Sequence, residues 1–370
     1  MGAISRWVIP CYFSDEKLKT DPIKFDLTNH LRTILSNEVW KRKFSYGFQT
    51  GLQNTDRENI FRAEITIYPR FISGFVEEDR LQTIIEDRCG KIPTYLKISN
   101  YTDWEYRLGL AIVEVEYKKE VAIIPIEEDM AVFMPRWNMD FIAIYHQQIA
   151  VCKELAAFFL AALHLTFPTT SVAMSNDQPV NDGFFQTVSE GRIYCTKIMT
   201  DSFMHEILVE RSKAALINSN LNAIAGIWHL NLWPLKRYLT AVESDQLSMD
   251  HLLDLIYALE GLFGKNASAD FIKLSTVVSL TSTRKDAVKM KKLLDVAYRI
   301  RNEMAHGNFS YDLFDHIEIE GREVLAQDVY WKMKSIVANM IGKAIAKLIP
   351  HPDMRNLRFN EDDLLDIIYK

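Results

Sequence analysis

From Ser202 onward, stretch after stretch of the sequence repeats its apolar residues at helical spacing, which limits the second half of the chain to a helical bundle. The stretches are SFMHEILVERSKAALINSNLNAI, IWHLNLWPLKRYLTAV, SMDHLLDLIYALEGLFG, RKDAVKMKKLLDVAYRIRNEMAHG and VLAQDVYWKMKSIVANMIGKAIAKLI. Several open on Ser or Asp, which cap free amides, or close on Gly, which lets the backbone turn away. Between the last two, HIEIEGREV reads as a small hairpin turning at Gly321. The acidic tail NEDDLLDIIYK reads as an amphipathic packing or dimer-contact helix.

The first half has a different period. FRAEITIY puts Phe61, Ala63, Ile65 and Ile67 on one face by alternation, and YRLGLAIVEVEY does the same with Leu108, Leu110 and Ile112, so both predict strands. EEDRLQTIIEDRCG predicts a short helix ended by Gly90, and VAIIPIEE a strand broken at Pro125. A long helix is expected from about Asp140 to Leu165, stopped before Pro168, followed by a loop from Pro168 to Gly183. The fold class is therefore α+β: a mixed domain over residues 1–200, followed by an all-α helical bundle over 201–370. A chain of 370 residues is long enough for two such domains.

Composition narrows the function classes. A hydrophobic fraction of 48%, a charged fraction of 25% and a mean hydropathy of −0.08 are those of a soluble globular protein. Cys11, Cys89, Cys152 and Cys195 have no ligand spacing, so neither a disulfide framework nor a metal site is expected, and a reducing cytoplasm fits. The start MGAISRWVIP lacks the pattern of a secretory signal. The apolar run from Leu155 to Phe167 is interrupted by His164 and too short to span a bilayer, so a buried helix is expected and no membrane partner. No nucleotide fingerprint is present, MHEILVE lacks the second His of a zinc protease, and no cofactor is expected. Trp228 and Trp233, flanked by Ile227, Leu230 and Leu232, are expected in the core. The net charge of −6 means that a nucleic-acid partner would need a local basic surface.

Such a surface accompanies an unusual placement of polar groups. Stepping about 100° per residue along the helix that ends at Gly307 gathers Met290, Leu294, Ala297, Met304 and Ala305 into one arc, with Arg301 near its centre. Asn302 lies at the margin, and His306 sits roughly 140° round from Arg301 in the final turn. The same construction on SMDHLLDLIYALEGLFG puts Glu260 inside the arc of Leu252, Leu253, Ile256, Leu259 and Phe263. Buried charges are costly unless paired or lodged in a cleft, so Glu260 and Arg301 are either partners or site residues. A structural Arg–Glu pair, with His306 complementing the helix dipole, accounts for the same residues. Between Arg284 and Arg301 there are seven basic residues against Asp286 and Asp295; Lys289, Lys292 and Arg299 are the candidates for contacting a polyanion.

YRIRNEMAHG, preceded some forty positions earlier by YALEGLFG, resembles the C-terminal signature of HEPN domains, in particular the Apea-like branch. The resemblance covers roughly Ser202 to Ile349. Arg301 and His306 enclose four residues of an Arg-x4-6-His motif, Asn302 is the polar residue after the Arg, and Glu260 is the acid of the upstream element. The resemblance implies a metal-independent endoribonuclease that dimerises and faces two motif helices across a cleft. RNA would be cut by attack of its own 2′-OH, leaving a 2′,3′-cyclic phosphate and a 5′-OH. Histidine is the side chain suited to moving a proton near neutral pH, and arginine offers a permanent fork of donors to phosphate oxygens. On this basis Arg301, His306, Asn302 and Glu260 are the expected catalytic group. The resemblance further implies a regulated toxin or phage-defence effector, restrained by an antitoxin or a phage-derived trigger, with residues 1–200 sensing or recruiting. A non-catalytic HEPN dimerisation or scaffold module, with a ligand-binding or partner-binding N-terminal domain, fits the same motif.

Overall fold

The structure, a computed structural model, describes residues 3–12, 22–36, 57–72, 86–87, 108–118, 136–168, 182–189, 192–199, 211–228, 230–242, 248–264, 266–307, 311–312, 314–319, 321–348 and 356–368. The expected helix before Gly90 is described only at 86–87. The expected strand at 121–128 and most of the expected loop after Pro168 lie outside the described residues. The chain divides into two compact units, Met1–Leu160 with Met174–Leu221, and Ala161–Ala173 with Asn222–Lys370.

The first unit is built on a six-stranded antiparallel sheet. Its strands are β1 (Ile4–Tyr12), β2 (Ile23–Asp26), β3 (Ile60–Ile72), β4 (Leu108–Tyr117), β5 (Asp182–Ser189) and β6 (Arg192–Met199), in the order β2-β3-β4-β1-β5-β6. Two helices accompany it, α1 (Thr28–Leu35) and the N-terminal part of α2 (Arg136–Thr166). Side-chain alternation gives the sheet one apolar face, where Trp7, Phe25, Ile65, Ile67, Val113, Val115 and Tyr117 are buried. Helices cover that face: the Phe25 ring lies 5.0 Å from Phe159, and His30 lies 5.6 Å from Phe158. The opposite face is charged. Glu64 and Glu114 stand directly across from one another, a repulsive register that Arg6 (2.5 Å to Glu114) and Arg62 (2.7 Å to Glu114, 3.5 Å to Glu64) neutralise.

Three expectations change here. Phe61 does not share the face of Ala63, Ile65 and Ile67; it is 57% exposed. A bulge between Ile60 and Arg62 in the pairing with β4 shifts the alternation, and Ile60 takes the inward place. On β4 the main buried set is Ala111, Val113, Val115 and Tyr117, the parity opposite to that expected, while Ile112 is buried on the charged face. The stretch from 182 to 199, read partly as loop, forms the β5–β6 hairpin. The apolar run is longer than expected: Gln148–Thr166 is long and apolar enough to cross a membrane, so the expectation that it is too short is corrected, while Leu155, Phe158, Phe159 and Leu160 are buried in protein, as expected for a core helix.

The second unit is mostly helical. It contains α4 (Trp233–Val242), α5 (Met249–Phe263), α6 (Ala269–Leu280), α7 (Arg284–Ala305), α8 (Ala326–Leu348) and α9 (Glu361–Ile368), preceded by α3 (Ala214–Ala225), whose end belongs to it. The anticipated hairpin is present as β7 (His316–Ile319) and β8 (Arg322–Leu325), with Gly321 at φ 71° supplying the left-handed turn. α5 packs against α4, α7 and α8, and Leu255, Ile256, Leu259, Leu294, Ala297, Met333, Val337 and Ile341 are fully buried between these helices. The expected helix over 227–242 is interrupted by a turn and begins only at Trp233, with Pro234 in its first turn where no amide partner is lost. α6 was not expected; its N-cap is Ser268, whose hydroxyl accepts from the Phe271 amide. Trp228 is buried as expected, but Trp233 is 41% exposed, its ring lying over Gly261 and 5.5 Å from the Arg237 guanidinium.

Lys334 on α8 is buried, and burial pushes its ammonium down to about 8. The unfolded chain holds that proton up to lysine's ordinary range, so between pH 8 and 10 the unfolded state binds more protons and stability gains from rising pH. Urea unfolding of wild type and Lys334→Met at pH 7.5 and pH 10 is expected to show wild type gaining on the variant by on the order of 2 kcal/mol over that interval. A constant difference would show that Lys334 keeps its proton on folding.

Candidate active site

α5 and α7 position the candidate residues. α5 starts at Ser248, whose hydroxyl forms a capping box with His251, and ends at Gly264, where φ is 79° and the amide donates to the Glu260 carbonyl at 3.1 Å. Glu260 therefore occupies the last turn of α5. α7 starts at Thr283, whose hydroxyl accepts from the Asp286 amide, and runs to Ala305. His306 is the C-cap, and Gly307, at φ 66°, lets the chain leave the helix axis.

The buried arc of α7 consists of Leu293, Leu294, Val296, Ala297, Tyr298 and Ile300. It thins out at the last turn: Met304 is half-buried and Ala305 is exposed, not buried as the periodicity predicts. The helix runs past the layer of side chains that covers it, and Arg301 sits where cover gives out. Its side chain is 29% exposed and that of Glu260 27%. The guanidinium donates from Nη2 to Glu260 Oε2 at 3.4 Å and from Nη1 to Asn302 Oδ1 at 3.0 Å, and its carbon lies 5.5 Å from the centre of the Tyr257 ring. Arg301 Nε is buried without a hydrogen-bond partner. The expected partnership of Glu260 and Arg301 is thus present at the solvent edge of the core.

Electrostatics show how weak that partnership is. Burial pushes the Glu260 carboxyl above the usual carboxylate range in spite of the opposing charge and hydrogen bond of Arg301. Tyr298 lies in the same neighbourhood: it is buried, its hydroxyl has no hydrogen-bond partner, and burial followed by the Glu260 charge raises its phenol. Sequence reasoning missed Tyr257 and Tyr298. A signal was available, because each stands three residues before a charge, in YALE and YRIR, and so one turn below it on the same helical face.

His306 stands apart. It is exposed; its backbone amide donates to the Asn302 main-chain carbonyl at 3.1 Å, and no described side-chain contact joins its imidazole to Arg301, Asn302 or Glu260. With Arg301 about 140° away around the axis, one chain presents the guanidinium and the imidazole on different faces of α7. Asn302 is exposed, and its side-chain Oδ1 accepts from Arg301 rather than from the His306 imidazole. Of the candidate RNA-contacting residues, Lys289 and Arg299 are exposed and Lys292 half-buried. Lys292, Arg299 and His306 follow one another at intervals of seven, so they form a stripe that drifts only about 20° per step and rises about 10 Å. Lys291, by contrast, is engaged with Asp295 at 2.9 Å, and Asp295 also binds Lys273 at 2.7 Å.

No family model, no curated protein and no solved structure matches the chain.

Three substitutions test what holds these helices together. Because burial outweighs pairing at Glu260, Glu260→Gln at pH 7 is expected to change the unfolding free energy by less than about 1 kcal/mol, whereas Leu294→Ala is expected to cost roughly 2–5 kcal/mol. The raised carboxyl favours the folded state when protonated, so Glu260→Gln should gain on wild type as pH rises from 4.5 to 7.5. Gly261 is different: a Cβ there would meet the Trp233 ring at 2.5 Å, and Gly261→Ala is expected to lose about 1–3 kcal/mol in urea titration instead of gaining helix propensity.

Proposed function

We propose that this chain is a metal-independent endoribonuclease of HEPN type that works as a homodimer. The observation that carries this reading is the Arg301 guanidinium, held at a solvent-reachable helix end by Glu260 and Asn302, five residues before an exposed His306 at a glycine stop. In the reaction, the RNA 2′-OH bonds to the adjacent phosphorus as the bond to the 5′ oxygen breaks. A histidine moves the proton between these oxygens, and a guanidinium stabilises the extra negative charge on the phosphoryl oxygens. Glu260 and Asn302 act as positioning residues for Arg301, and the stripe of Lys292 and Arg299 beside Lys289 supports an RNA backbone approaching His306. Since one chain directs Arg301 and His306 to different faces, the composite site takes the guanidinium from one protomer and the imidazole from its partner. An unrestrained ribonuclease would damage its own cell, so the chain is further read as a regulated cytoplasmic toxin or phage-defence effector, with the N-terminal sheet unit receiving the trigger or antitoxin.

A non-catalytic HEPN scaffold is favoured by one specific observation, the commitment of Arg301 donors to Glu260 and Asn302 with His306 elsewhere.

The two readings separate in one assay. Purified wild type in EDTA is expected to cut single-stranded RNA to 2′,3′-cyclic phosphate ends, with Arg301→Ala and His306→Ala each reduced at least 100-fold. Mixing the two inactive variants and allowing exchange should restore about a quarter of wild-type activity, because half of the dimers would carry one intact composite site. Equal activity of wild type and both single variants rejects the ribonuclease; inactive variants that fail to complement reject the shared site.

A further inference from the structure

Far from His306, at the opposite end of α7, the second unit contains a cavity of about 580 Å3. Its walls are the C-terminal end of α6, the turn into α7, the first turn of α7, the last turns of α8, Phe359 and the end of α9. The size is that of small-molecule sites, which span roughly 300–1,000 Å3. One side is apolar, formed by Val277, Val278, Ala346, Phe359 and Ile367. The remaining lining includes three cations, Arg284, Lys343 and Lys347, against one carboxylate, Asp366.

That carboxylate is already used. Asp366 binds Lys347 at 2.9 Å, and Lys347 also lies 3.5 Å from Asp363, so Lys347 and both carboxylates of this corner are engaged with one another. Arg284 and Lys343, from different helices, have no ion pair or hydrogen bond among the described residues and are both exposed. Ser279, on the same wall, has a buried hydroxyl with no hydrogen-bond partner. The cavity therefore combines an apolar wall, an unused hydroxyl and two cations whose charge nothing in the lining offsets. Within a chain of net charge −6, such a concentration of uncompensated positive charge selects for an anion.

We infer that this cavity binds a small phosphorylated organic molecule of nucleotide size. The phosphate is taken by Arg284 and Lys343, whose donors suit its several oxygens, and the ring or apolar part lies against Val277, Val278 and Ile367. Arg284 opens the helix that ends at His306, so ligand at one end of α7 and RNA at the other share one rigid element. The site stands independently of the ribonuclease reading, because it uses none of the residues of that reaction.

The test is binding to the full-length protein without RNA, by thermal shift and calorimetry, with AMP, ATP, adenosine and inorganic phosphate as probes. AMP or ATP is expected to raise the unfolding temperature and to bind at least tenfold more tightly than adenosine or phosphate alone. Arg284→Ala/Lys343→Ala, with circular dichroism unchanged, is expected to weaken that binding at least tenfold, and Arg301→Ala to leave it as in wild type. The inference is overturned if neither nucleotide binds at millimolar concentration, if phosphate alone binds as well as the nucleotides, or if Arg301→Ala rather than the double variant abolishes binding. Ribonuclease activity in a protein that binds no nucleotide would overturn this inference alone, and nucleotide binding in a protein that cuts no RNA would overturn only the ribonuclease.

Discussion

A guanidinium placed where an apolar arc loses its cover is the constraint on which the second unit turns. Arg301 occupies a face that one turn earlier holds Ala297 and Tyr298, both buried. It can do so because α7 outruns its neighbours there and because Glu260, Asn302 and the Tyr257 ring supply partners. The upward displacement of the Glu260 carboxyl shows that desolvation exceeds the attraction of the pair. Apolar packing of α5, α7 and α8 therefore carries the stability, and the polar cluster is tolerated at its edge. On the proposed reading, this cluster in reach of solvent is the one that would recognise phosphate.

The first unit solves the opposite problem. Its sheet has one face that folding can bury under helices and another that carries carboxylates in adjacent strands. Glu64 and Glu114 are forced opposite one another by the register that buries Ile65 and Val113. Arg6 and Arg62 make that register affordable, since each reaches a carboxylate on a neighbouring strand. The bulge at Phe61 belongs to the same compromise: it moves one large ring outward so that Ile60 and Ala63 can both face the core.

Much of this was legible where the periodicity is long. The helices at 249–263, 284–305 and 326–348 and the hairpin at Gly321 follow from spacing and capping alone, and spacing placed Glu260 and Arg301 on core-facing arcs without deciding whether they pair. α6 was not legible because FIKLSTVVSL is rich in β-branched residues and has little helical contrast; neighbours that bury Ile272 and Val277 override its propensity. Parity on β4 was misread because both Ile112 and Val113 are buried, so alternation offers no single answer there. Tyr257 and Tyr298 escaped notice because an aromatic on an apolar face carries no mark of function until a charge is found above it.

The sequence by itself determined the order of elements, the division between a strand-rich first half and a helical second half, and the angle between Arg301 and His306 around α7, since each follows from local period and from helix geometry. Only the tertiary structure decided that Arg301 lies at the edge of the core and not inside it, that Glu260 reaches it from another helix, and that the ends of α6, α7, α8 and α9 enclose a cavity with two unpaired cations. The physical reason is that burial and ion pairing depend on where one helix stops relative to its neighbours, and a one-dimensional pattern fixes directions around each axis without fixing those offsets.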